Sequence, residues 1–189
     1  MVEPGTESAV QVTFVDSRRQ RPPHIDLLFD VSLRNDRTEA RWFLLPDKLI
    51  DADDRTDENG IMGAEARVAP GTGRVVILRL IGNGRRQALL LPARAEVVLR
   101  RLPVALYAEQ IPSTLQLEVV TATELLVDGE PAERWLGGTL MSDTRATVQA
   151  DRTEVISSRF VPEGKQVGTR AVVDRRIQLH VTVPAEKQR

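Results

Sequence analysis

The chain contains no cysteine. A disulfide-stapled scaffold, a thiol nucleophile and a thiolate metal site are therefore excluded, and a reducing, cytoplasmic setting is the expectation. Histidine is nearly as scarce, with only His24 and His180. Neither belongs to an H-x-x-x-H or H-E-x-x-H spacing, and no serine sits in the glycine-flanked elbow of a nucleophile. Lysine is confined to Lys48, Lys165 and Lys187, so arginine carries the positive charge. Neither sign of charge dominates: 26 basic against 27 acidic residues leave a net charge of -1. That removes the bulk field expected of a nucleic-acid or anionic-membrane binder. No apolar run reaches the roughly 18 residues of a membrane-spanning helix. The opening MVEPGTES lacks the basic and apolar regions of a signal peptide. The glycines of Pro70–Gly73 (PGTG) are followed by neither Gly-Lys-Ser/Thr nor a helical pattern, so they make a turn and not a phosphate loop. No motif calls for a cofactor.

What the chain does have is alternation. In His24–Arg34, Ile25, Leu27, Phe29, Val31 and Leu33 fall on one face of an extended chain. His24, Asp26, Asp30, Ser32 and Arg34 fall on the other, and only Leu28 breaks the pattern. A period of two marks a strand with one face on a core. In ARWFLLP, Trp42 and Leu44 point one way while Phe43 and Leu45 point the other, as in a central strand covered on both faces. Further strands are expected at Ala9–Val15, Arg74–Ile81, Arg85–Leu91, Ala93–Leu102 and Ser113–Thr121. Gly82-Asn83-Gly84 and Asp128-Gly129 supply turns. The last strand carries Val173, Ile177, Leu179, Val181 and Val183 in phase, with Arg175 marking a bulge or a sheet edge. Asp151 with Glu154 spells a capping box and predicts a short helix over Asp151–Phe160. A second helical turn is expected near Glu133–Leu136, ended by Gly137-Gly138. Pro103–Pro112 reads as a helical turn or a crossover.

These elements predict an all-β fold: a β-sandwich, immunoglobulin-like or jelly-roll-like, with one or two short helices. One domain is expected over residues 9–183, with flexible tails at 1–8 and 184–189. Sheet edges are expected at Val10–Phe14 and Arg145–Gln149.

Candidate functional residues are few. Arg18, Arg19 and Arg21 lie together in a segment that reads first as a solvated loop and second as a small contact for an anion or an acidic peptide. Trp42 and Trp135 read first as core anchors and second as aromatic platforms; Tyr107 is the only tyrosine. Asp47–Gly60 is crowded with carboxylates, but a calcium-hand register started at Asp51 puts Arg55, Thr56 and Met62 at ligand or glycine positions, so no tight calcium site is expected. The favoured function is a non-catalytic module that binds a protein or peptide, its own copy included as a homodimer, through an exposed strand edge. The alternatives are a small-molecule or carbohydrate-binding β domain and, behind it, a metal-dependent enzyme in which His24 and His180 meet.

Overall fold

A computed structural model describes residues 9–46, 65–80, 86–136, 141–148, 153–160 and 168–188. The segments 1–8, Asp47–Gly60 and Gly82–Gly84 lie outside these residues. The described chain is all-β. Its strands are β1 (Val10–Arg19), β2 (His24–Arg34), β3 (Arg41–Pro46), β4 (Glu65–Val68), β5 (Arg74–Leu80), β6 (Arg86–Leu91), β7 (Glu96–Tyr107), β8 (Thr114–Val127), β9 (Glu130–Pro131), β10 (Met141–Val148), β11 (Glu154–Phe160) and β12 (Thr169–Thr182). Two short 3₁₀ turns, Ala132–Trp135 and Ala185–Lys187, supply the helical content among the described residues. No helix among them is long and apolar enough to cross a membrane.

The strands form two sheets. The smaller has the order β1-β2-β7-β4. The larger runs β10-β11-β5-β6-β3-β8-β12, with β9 paired to β8. All pairings are antiparallel except β11 with β5. The alternation of β2 sends Leu27, Phe29, Val31 and Leu33 into a core that also takes Phe43, Leu45, Leu89, Leu117 and Val119 from the larger sheet. Phe14 meets Phe29 edge to face, with ring centroids 5.8 Å apart, the arrangement favoured by the ring quadrupoles. The opposite face of the larger sheet holds a second apolar cluster around Trp42, Leu44, Leu78, Val120 and Leu125. β3 is thus apolar on both faces, as its sequence predicts.

Three elements differ from the sequence reading. β1 runs on to Arg19 through a bulge at Val15, because the irregular register hides the continuing strand in the polar DSRR. β7 passes unbroken through Pro103 to Tyr107. Its alternation is disturbed at Arg100–Arg101, where two residues oppose Asp30 alone, and Arg101 takes a positive φ of 55°. The predicted helix at Asp151–Phe160 is β11 instead. Parallel pairing with the distant β5 outweighs a local capping box. At the C-terminus, where a frayed tail is expected, Lys187 donates to the carbonyl of Val15 and Gln188 to that of Val183 at 2.9 Å.

The bulge in β7 is clamped from β2. Asp30 Oδ1 accepts the Arg101 amide at 3.0 Å and Oδ2 accepts Arg100 Nη1 at 2.5 Å. Burial pushes the Asp30 carboxyl up, but these two hydrogen bonds and the adjoining positive charges outweigh it and hold the group below its ordinary value.

Candidate partner-binding edge and arginine cleft

The residues singled out in the sequence do not come together. Trp42 is buried in the second apolar cluster, 1% exposed, and presents nothing to a ligand. Trp135 lies half-buried against the same cluster and donates its indole N–H to the Val127 carbonyl at 3.0 Å. Arg18 and Arg19 sit on β1 rather than in a loop. Arg18 is in register with Asp26, and Arg19 reaches the Glu109 carbonyl at 3.3 Å. Arg21 is exposed in the turn that follows. His24 and His180 lie on strands of different sheets, β2 and β12. Among the described residues no group of three His, Asp or Glu side chains is placed to hold a metal ion.

His24 belongs instead to a closed polar corner at the start of β2. Its register partner on β7 is Tyr107, and the two rings stack with centroids 4.9 Å apart. His24 Nε2 is hydrogen-bonded to Asp26 Oδ1 at 2.8 Å, and Gln20 Nε2 donates to Asp26 Oδ2 at 2.8 Å. Asp26 is only 3% exposed, although it stands on the polar phase of β2. The Gln20–Pro23 turn folds back over it, held by Gln20 N–His24 O and His24 N–Arg21 O hydrogen bonds. This arrangement orients the imidazole between Asp26 and the Tyr107 ring.

The opposite situation holds on β12, the terminal strand of the larger sheet. Its register with β8 slips at Thr123 and again at Asp174, next to Arg175 where the sequence predicts a bulge. The double slip leaves Val172 and Val173 at 39% and 40% exposure, the only exposed large apolar side chains among the described residues. Beyond the bulge, Ile177 and Leu179 turn toward the common core but stay half-buried. Some Cα atoms of β1 come within 8 Å of β12, yet no ladder joins the two strands; a ladder needs about 4.8 Å between strands. Ala9, just before β1, shares a cleft with Ile177, and Lys187, after β12, reaches Val15. β1 therefore flanks the later part of β12. The stretch Thr169–Asp174 extends past the first described residue of β1 and has no strand partner on its outer side among the described residues.

A cleft adjoins this stretch. Its walls are Ala9, Arg34–Arg37, Arg41, Phe43, Thr121, Asp174, Arg175 and Ile177, contributed by the ends of β1, β2 and β3 and the middles of β8 and β12. Four arginines (Arg34, Arg37, Arg41 and Arg175) face two aspartates (Asp36 and Asp174). The floor is neutralised internally: Arg41 Nε lies 3.1 Å from Asp174 Oδ2, and Thr121 donates to Asp174 Oδ1 at 2.6 Å. The Arg41 Nε contact is an ion pair without a well-directed hydrogen bond. The rim is different. The Arg34 side chain makes no ion pair among the described residues. Arg37 and Asp36 are 3.9 Å apart with both side chains more than half exposed, which makes a weak, solvent-screened pair.

The turn that presents Arg37 is pinned by Asn35, which is 1% exposed. Its amide nitrogen donates toward the carbonyls of Glu39, Leu91 and Pro92 at 2.8–3.1 Å, and its Oδ1 accepts the Arg37 amide at 3.1 Å. The sequence shows Asn35 as a turn residue; nothing local in it announces the cleft, whose walls come from five separate parts of the chain. The enclosed part of the cleft is about 20 Å³, space for about one water molecule. No family model, curated protein or solved structure matches the chain.

Proposed function

We propose that this protein is a non-catalytic polypeptide-binding module that takes up an extended segment of a partner by strand addition along Thr169–Asp174 of β12. In this reading the two sheets make a β-sandwich of immunoglobulin-like or jelly-roll-like kind, and its open edge is the working surface. The observation that carries the proposal is the pair Val172 and Val173, exposed on a strand edge with no outer partner among the described residues. A partner strand there gains main-chain hydrogen bonds from the edge and covers the apolar surface of Val172 and Val173. The cleft's small enclosed volume favours this over a carbohydrate or small-molecule site, which needs a deeper pocket.

The test places lysines on the edge, a device that blunts strand pairing. The variant Val172→Lys/Val173→Lys should retain the parent melting temperature and lose a partner captured reproducibly from native cell extract. Equal capture by the parent and the folded variant overturns the proposal. So does a monomeric parent that captures nothing. A dimer lost in the variant would make the captured partner a second copy of the chain, which the same strand addition accommodates.

A further inference from the structure

The geometry points to an acidic partner: we infer that the segment added to β12 carries carboxylate side chains that enter the cleft at Arg34 and Arg37. This rests on the reading of β12 as the docking edge and names the chemistry that the edge selects. The argument begins with the floor. Arg41 and Asp174 cancel each other in contact, with side-chain exposures of 15% and 28%, and Thr121 takes one lone pair of the aspartate. Their charges are spent within the fold. What remains on the rim is Arg34, with no ion pair among the described residues, and Arg37, which meets Asp36 only at 3.9 Å.

The guanidinium group presents a planar fork that matches a carboxylate with two parallel hydrogen bonds. Phe43 and Ile177 give the cleft an apolar side, which lowers the local dielectric and strengthens such a pair relative to open water. The size of the cleft admits a carboxylate tip and little more. Its position fixes where that carboxylate sits in the partner. Asp174 and Arg175 line the cleft and directly continue the open stretch of β12, and side chains of an added strand alternate between the two faces. The partner should therefore carry an aspartate or glutamate in phase with the cleft and apolar residues where it crosses Val172 and Val173. The chain's net charge of -1 makes the attraction local, within a Debye length of about 8 Å at physiological salt.

The experiment enriches a random decapeptide display library on the immobilised full-length protein and then measures the enriched sequences as synthetic peptides. The expected result is an excess of Asp or Glu at one position of an alternating apolar pattern. Binding should weaken about tenfold in Arg34→Gln/Arg37→Gln and fall as salt is raised, with the melting temperature unchanged. Enrichment of neutral or basic peptides that no longer bind Val172→Lys/Val173→Lys would overturn the acidic partner and leave strand addition standing. Absence of any enrichment would remove both. Displacement of an acidic peptide by a single-stranded oligonucleotide of equal charge would reassign the cleft to phosphate, and that too overturns the inference.

Discussion

His24 and Arg34 begin and end the same strand, and the polar groups around them are resolved in opposite ways. At the His24 end the Asp26 contacts close inward: Asp26 is buried, and both its oxygens are taken by His24 and Gln20. At the Arg34 end the partly covered pair Arg41–Asp174 closes inward, while Arg34 and Arg37 stay outside it. A polar cluster whose donors and acceptors are matched is a structural joint, because each group has already recovered the hydrogen bonds it lost on leaving water. A cluster with cations left over on its rim still has binding free energy to offer. By its matched contacts the first end is part of the frame. The second supplies the rim cations on which the proposed recognition rests.

The comparison is broken most directly at Asp26. Asp26→Ala removes a buried acceptor that holds an exposed Gln20 and a half-buried His24. Each of the two lost hydrogen bonds contributes about 0.5–1.5 kcal/mol, so a loss of roughly 2 kcal/mol is expected, read as a lowered urea midpoint with unchanged slope. Asp26→Asn keeps one acceptor oxygen and should cost less than half as much. A change in Asp26→Ala of under about 0.5 kcal/mol, the range of ordinary surface substitutions, would mean that the corner is not a structural joint.

An intermediate effect is expected at Asp30, between the two ends. Its carboxyl is held below the ordinary value of 3.8, so the folded state binds its proton less readily than the unfolded chain. The ionised group therefore stabilises the fold fully above the ordinary carboxylate range, and that contribution is lost as pH falls through the lowered folded value. Asp30→Asn should be less stable than the parent by about 1 kcal/mol near neutral pH. The gap should narrow below pH 3.8 and close at still lower pH. A gap independent of pH from neutral to acid would show that the Arg100–Arg101 clamp does not depend on charge.

Much of the frame is legible in the sequence because it is periodic. The two-faced apolar pattern of β3, the core face of β2, the disturbance at Arg175 and the edge positions of β1 and β10 follow from alternation and its interruptions. What escapes is what a bulge or a long-range pairing decides. Val15 and the Arg100–Arg101 pair shift the phase within β1 and β7, so each strand looks shorter than it is. β11 gains its strand partner β5 from far along the chain. Asp26 stands on the polar phase of β2 and is held by Gln20 and His24 rather than placed by pattern. The cleft is least legible of all. Arg34, Arg41 and Arg175 become neighbours only once β2, β3 and β12 have taken their places, whereas Arg18, Arg19 and Arg21, adjacent in sequence, stay in separate settings along β1 and its turn.

The smallest expected effect is the most discriminating. Arg34→Gln/Arg37→Gln removes two rim cations that the frame does not use: Arg34 has no ion-pair partner among the described residues, and Arg37 meets Asp36 only at 3.9 Å in solvent. Stability should therefore stay within about 0.5 kcal/mol of the parent. The main-chain contact that places Arg37, from its own amide to Asn35 Oδ1, survives the substitution. Arg41→Gln supplies the contrast from the floor of the same cleft, because it leaves the carboxylate of Asp174 without its close cation in a largely covered site and should cost more than the rim pair together. Matched denaturation curves for the parent and the two variants decide the point. If the rim variant were destabilised as much as Arg41→Gln, the rim arginines would belong to the frame, and the distinction between the closed and open ends of β2 would fail.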